Sequence, residues 1–164
     1  MVLTALAGCG SDADEPAKAS SSSPGERPSK ADPPKRPEPA PQPSVSAADG
    51  RDITACADGN CDIVVSEPVT IPFKGPRGPA TLSVTEVGPN TIAYTVKSGN
   101  GQSKGSASGP GQGCITVLRS NGSGNSCGGL GAAGRPSPQP DAVVIQAAAG
   151  GEDGTAVLQL VSDR

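Results

Sequence analysis

The chain has 164 residues, a formal net charge of −3 and no histidine, and one Tyr and one Phe are its only aromatic residues. The lack of histidine excludes Ser-His-Asp and Cys-His nucleophilic sites and most histidine-ligated metals. A slightly acidic chain with so few stacking rings also argues against nucleic-acid binding, so we expect no nucleic-acid partner.

The chain begins with a mostly apolar segment that ends in Leu6-Ala7-Gly8-Cys9. A branched aliphatic residue, two small residues and a cysteine resemble the lipobox that ends a bacterial lipoprotein signal peptide. The resemblance implies cleavage before Cys9 and a diacylglyceryl anchor on its sulfur, which would hold the protein at the outer face of the cytoplasmic membrane. Residues 1–8 are shorter than a complete signal peptide, which has a basic region and about 7–15 apolar residues. We therefore interpret them as a truncated signal peptide whose start lies upstream.

Residues 9–50 are rich in Pro, Ser and Ala and have almost nothing to bury. Such a segment cannot offset its ordering entropy, so we predict a disordered tether. Its prolines favour extended polyproline II, with a stiff limit on the order of 120 Å. Its positive and negative charges nearly cancel, which favours a spacer over a basic arm.

Residues 51–164 have the composition of an extracytoplasmic β domain. Short runs of branched aliphatic residues alternate with Gly, Pro, Asn and Asp, which favours short strands. Pro72 restricts its strand to a sheet edge or a bulge. Ile92, Tyr94 and Val96 share one face of a half-buried strand. The runs that predict strands are 52–56, 61–66, 69–73, 82–87, 91–97, 114–119, 141–146 and 155–161.

Two Gly- and Ser-rich segments, 98–113 and 120–140, carry few apolar side chains and are predicted to be flexible loops. The first would hold at most one weak, exposed strand. We therefore expect an all-β fold, a small disulfide-braced sandwich or partly open barrel of about seven or eight short strands. Periodicity does not decide between sandwich and barrel.

With Cys9 assigned to lipid, an even set remains: Cys56, Cys61, Cys114 and Cys127. In an exported domain this set predicts structural disulfides, and three connectivities are possible. We favour Cys56–Cys61, across a predicted hairpin turn, and Cys114–Cys127, around the second Gly/Ser-rich loop. A zinc site normally uses two pairs of closely spaced cysteines. Cys114 and Cys127 are too far apart in the sequence to form such a pair.

Carboxylates are weak candidates for chemistry in this domain. Glycosidases use pairs of them, but most here are predicted to be ordinary solvated residues at turns or strand ends. The segment from Asp58 to Asp62 resembles the start of a calcium loop, but Ile63 and Val69 stand where Gly and a bidentate Glu are needed. We predict no metal, no cofactor, no catalytic residue and no enzymatic activity. The carboxylates considered are Asp52, Asp58, Asp62, Glu67, Glu86, Glu152 and Asp153.

The whole layout, a lipobox followed by a Pro/Ser/Ala spacer and a compact β domain, resembles the small uncharacterised lipoproteins of high-GC Gram-positive bacteria. The resemblance implies an envelope location without a known activity. We expect a lipid-anchored envelope protein with a non-catalytic binding or structural domain and a possible cell-wall or envelope protein partner. The alternative is a secreted, protease-inhibitor-like module that presents the Cys114–Cys127 loop, with 121–125 as its exposed segment.

Overall fold

A computed structural model describes residues 46–130 and 134–163. The lipobox with Cys9 and most of the predicted tether lie outside the described residues. The elements are a 3-10 helix, Ile53–Asp58, and nine strands in the described part of the chain. The strands are β1 (Cys61–Val65), β2 (Val69–Gly75), β3 (Gly78–Gly88), β4 (Thr91–Ser98), β5 (Gly101–Ser108), β6 (Gln112–Arg119), β7 (Gly122–Gly129), β8 (Ala142–Ala149) and β9 (Ala156–Ser162).

The strands form two antiparallel sheets, which confirms the all-β prediction and decides for a sandwich over a barrel. The four-stranded sheet is the meander β2-β3-β4-β5. The five-stranded sheet has the order β1-β9-β8-β6-β7, so the last strand lies between the first strand and β8. Pairing of β1 with β9 fixes both ends of the domain in one sheet. As predicted for the strand that contains Pro72, β2 lies at a sheet edge.

The core lies between the two sheets and follows from the strict alternation of apolar residues. In β4, Ile92, Tyr94 and Val96 are buried, and Thr91, Ala93 and Thr95 on the other face are partly exposed. In β9, Leu158 and Leu160 point into the same core. A period of two places every second side chain on one face, so each sheet needs only one apolar face.

The segment before β1 differs from the prediction, because residues 53–58 form a 3-10 helix where a strand was expected. The carboxylate of Asp52 accepts hydrogen bonds from the backbone N–H of Thr54 at 2.9 Å and from its hydroxyl at 2.6 Å. An Asp in this position caps a helix start. Gly59 ends the helix with a φ of 89°, and its N–H donates to the carbonyl oxygen of Cys56.

The predicted loops 98–113 and 120–140 contain two regular strands, β5 and β7. Every residue of β5 pairs with β4, and every residue of β7 pairs with β6. The strands number nine instead of about seven or eight for this reason. Backbone hydrogen bonds to the neighbouring strands β4 and β6 stabilise β5 and β7, although the side chains of β5 and β7 contribute little.

The packed domain begins before Arg51, the boundary that composition suggested. The N–H of Asp49 donates to the carbonyl oxygen of Asp62, and the N–H of Val64 donates to the carbonyl oxygen of Gly50. The Asp49 carboxylate also accepts from the backbone N–H of Asp62 at 2.8 Å. These bonds cover the open edge of β1, which would otherwise offer unpaired backbone groups.

The described residues 134–141 of the connection from β7 to β8 begin on the face of the five-stranded sheet that points away from the core, where Gln146 donates to the carbonyl oxygen of Gly134. Both strands are antiparallel to β6, so they are parallel to each other and need a crossover. In its described part, Arg135 donates to the carbonyl oxygen of Leu160 at 3.1 Å, and Arg119 donates to the Gln139 side chain at 2.6 Å. This outer face therefore has a cover of its own, and Val144 on it is only 1% exposed.

Both predicted disulfides are present, Cys56–Cys61 and Cys114–Cys127. The first joins the 3-10 helix to the first residue of β1 and the second links directly opposite residues of β6 and β7. No helix in the described residues is long and apolar enough to cross a membrane.

Candidate functional site

A cavity of about 310 Å³ lies on the outer face of the five-stranded sheet. The central strands β8 and β9 and the edge strand β1 form its floor. The start of the described chain, the β5–β6 turn and the start of the β7–β8 crossover form its walls. It is lined by Ser46, Asp62, Gly111, Gln112, Leu130, Gln146, Ala148, Ala149, Gly150, Val157 and Gln159.

A row of three polar side chains crosses the floor of the cavity. Gln146 of β8 is the direct partner of Gln159 in β9, and Gln159 is the direct partner of Asp62 in β1. The Gln146 Nε2 donates to Gln159 Oε1 at 3.1 Å, and the Gln159 Nε2 donates to Asp62 Oδ2 at 3.2 Å. Because residues at opposite register positions face the same side of a sheet, this row is set by strand pairing alone.

Gln146 is the most enclosed member of this row. It is 4% exposed, and its Nε2 also donates to the carbonyl oxygen of Gly134 at 3.3 Å. A buried amide is tolerated when its donors are satisfied. Gln146 thus joins the crossover to the sheet and fixes the orientation of Gln159, which in turn holds Asp62.

Asp62 ends the row with an incomplete set of hydrogen bonds. Its Oδ1 is shielded from solvent and has no hydrogen-bond partner among the described residues. An ionised carboxylate has about four acceptor positions, and the other oxygen, Oδ2, accepts from Gln159. A buried acceptor left without a donor costs about 1–3 kcal/mol. This carboxylate is therefore under-satisfied beside a cavity.

Two glycines give the cavity its shape. The Leu130 side chain lies against Gly113 of β6, where a Cβ would collide with it and with the Ala147 carbonyl oxygen. At Gly150 a Cβ would collide with the carbonyl oxygen of Thr155 across the β8–β9 turn. Both contacts depend on the absence of a side chain, so the backbone defines these walls.

The other carboxylates named from the sequence are not brought together. Asp52 caps the 3-10 helix, Glu86 lies at the bulge of β3, and Asp153 accepts from Thr155 in the β8–β9 turn. Hydrogen bonds from the Thr54 hydroxyl, and then from its N–H, hold the pKa of Asp52 below its usual value. The described residues contain no group of three or more His, Cys, Asp or Glu that could hold a metal.

The segment proposed for protease inhibition is part of a regular hairpin. Residues 122–129 form β7, and the turn to β6 consists of Ser120 and Asn121 alone. The Asn125 side chain donates to the carbonyl oxygen of Lys104 and accepts from the Thr116 hydroxyl at 3.2 Å. Residues 123–125 are exposed, so the segment is a paired, exposed strand where a flexible loop was predicted.

The site residues that sequence reasoning missed are Gln146 and Gln159, and it had placed Asp62 among the solvated carboxylates. A signal was present, because each glutamine interrupts an apolar run, Ala142–Ala149 and Ala156–Ser162. A polar residue within a buried strand needs hydrogen-bond partners. Two such interruptions at paired register positions mark a buried polar site.

Comparisons of the chain with protein-family models, with curated proteins and with solved structures gave no match. Function must therefore be inferred from the chemistry of the site itself. The described lining offers one ionisable side chain, three primary amides and apolar walls, a combination suited to holding a small ligand.

Proposed function

We propose that this protein is a lipid-anchored, extracytoplasmic binding protein whose β-sandwich holds a small ligand on the outer face of its five-stranded sheet. The observation that carries the binding function is the cavity bordered by the under-satisfied Asp62 carboxylate. Small ligand sites are concave, largely apolar and equipped with a few oriented polar groups. The cavity has this composition.

Two features support the proposed extracytoplasmic location. The Leu6-Ala7-Gly8-Cys9 sequence resembles a lipobox, and a diacylated cysteine carries the two chains that stable anchoring requires. The domain pairs its other four cysteines in two disulfides, and disulfides persist in oxidising compartments outside the cytoplasm. In this proposal the protein acts at the outer face of the membrane, without catalysis, and envelope or cell-wall components are its candidate partners.

Intact mass spectrometry tests the proposed lipid anchor. The full chain is expressed behind a complete signal peptide in a host that processes lipoproteins, and the membrane fraction is analysed. We expect a chain that begins at Cys9 and carries a diacylglyceryl group, with a Cys9→Ser variant that is not lipidated. An unmodified chain in the soluble fraction would overturn the anchor. Saturable binding of a small ligand at the cavity would support the second half of the proposal.

A further inference from the structure

We propose that the cavity binds the ammonium group of a small primary amine, with the Asp62 carboxylate as its counter-ion. This inference rests on the proposed binding function and names the ligand class. Among the described lining residues, Asp62 is the only one with an ionisable side chain, and none of them is cationic. A partly buried negative charge is stabilised by a partner of opposite sign that also donates hydrogen bonds.

The geometry favours an ammonium group over a guanidinium group. A guanidinium binds best with a two-pronged contact to both oxygens of one carboxylate. At Asp62, Oδ2 already accepts from Gln159, and Oδ1 is enclosed. An ammonium group needs one carboxylate oxygen and uses its remaining donors on neighbouring acceptors. Amide oxygens of the lining glutamines are acceptors of this kind.

The enclosed oxygen does not prevent this contact. Asp62 as a whole borders the cavity, and its Oδ2 accepts one hydrogen bond, from Gln159. Each oxygen of an ionised carboxylate has two acceptor positions. Oδ2 can therefore accept from a donor in the cavity while Gln159 keeps its own bond.

The rest of the lining restricts the ligand to a short apolar body. Leu130, Ala148 and Val157 provide aliphatic surface beside the polar row. A volume of about 310 Å³ lies at the lower end of the roughly 300–1,000 Å³ range of small-molecule sites. The ligand we expect is an alkyl or similarly compact amine.

The test is a nuclear magnetic resonance titration of the full chain, with Cys9→Ser to keep it soluble and with both disulfides oxidised. The probes are n-butylamine, protonated at neutral pH, butan-1-ol as a neutral analogue of the same length, and n-butylguanidine. We expect saturable shifts of the Asp62, Val157 and Gln159 amide signals with n-butylamine. Butan-1-ol should produce none at the same concentrations, and n-butylguanidine should bind more weakly.

Two variants that each remove one negative charge distinguish binding at the cavity from a general effect of net charge. Asp62→Asn should weaken n-butylamine binding at least tenfold. Glu86→Gln, an exposed position on the other sheet, should change it less than about twofold. Preserved dispersion of the amide spectrum shows that each variant is folded.

Equal binding of amine and alcohol, or binding that survives Asp62→Asn, would overturn the ammonium assignment. So would the absence of saturable shifts at the cavity. None of these outcomes touches the lipid anchor, which intact mass measures separately.

Discussion

The ring of Tyr94 occupies the space that a side chain at Gly105 would need. The two residues are direct partners in β4 and β5, and a Cβ at Gly105 would lie 2.5 Å from the ring Cζ. The ring is 1% exposed, and its hydroxyl bonds to the Thr116 hydroxyl of the other sheet at 2.8 Å. A glycine in one strand thus makes room for the only tyrosine of the chain to join the two sheets.

Substitution Gly105→Ala should lower the free energy of unfolding by about 1–3 kcal/mol, because the ring must leave a well-packed position. Urea unfolding of the oxidised protein measures the change. The matched control is Gly128→Ala, a strand glycine of β7 with open space around its Cβ position. The control should stay within about 0.5 kcal/mol of the wild type. Equal effects at the two positions would contradict the ring contact.

Tyr94 also predicts how stability depends on alkaline pH. Burial raises the pKa of the Tyr94 phenol above its ordinary value of 10.0, and the Thr116 hydrogen bond opposes this only in part. In the folded state the phenol therefore keeps its proton at a pH where the phenol of the unfolded state has lost it. The stabilisation that comes from burying the protonated phenol is complete below about pH 10 and is lost as pH rises through the folded pKa.

The measurement compares free energies of unfolding of the wild type and Tyr94→Phe from about pH 8 to about pH 11. Tyr94→Phe should cost about 1 kcal/mol at neutral pH, from loss of the hydrogen bond. Above pH 10 it should lose less stability than the wild type, because the two proteins differ only in the phenol hydroxyl. Parallel pH profiles would refute the prediction.

The two disulfides should contribute unequally. In the chain-entropy model, a bridge over a sequence separation of 13 stabilises by about 3 kcal/mol and one over 5 by about 2 kcal/mol. The double variant Cys114→Ala/Cys127→Ala should therefore lose more stability than Cys56→Ala/Cys61→Ala. Chemical unfolding of both variants checks the order, and a reversed order would show that contacts in the folded state outweigh loop entropy.

The strands with alternating branched aliphatic residues could be predicted from the sequence, and β5 and β7 could not. On its core-facing side β5 presents Gly105 and Ala107, which give no periodic signal. Its strand conformation comes from pairing with β4 and from the Tyr94 ring. For residues 53–58 the prediction of a strand was wrong, because capping by Asp52 and Gly59 favoured a 3-10 helix over the strand that the β-prone composition indicated.

The disulfide pairs were predictable because short spacing limits the choice of partner. The cavity was not, because it depends on which strands become neighbours. Asp62 and Gln159 are separated by 97 positions in the chain, and only the insertion of β9 between β1 and β8 brings them together. No local pattern specifies that order.

The central claim is that Asp62 serves ligand binding and destabilises the ligand-free domain. The free energy of unfolding of Asp62→Asn, measured without ligand, tests it. Asparagine retains an oxygen that accepts from Gln159 and places an uncharged Nδ2 where the charged Oδ1, which has no partner among the described residues, lies. The account predicts a variant as stable as the wild type, or more stable by up to about 1 kcal/mol. A loss of more than about 1 kcal/mol would contradict it. Asp62 would then be a structural residue of the β1 edge.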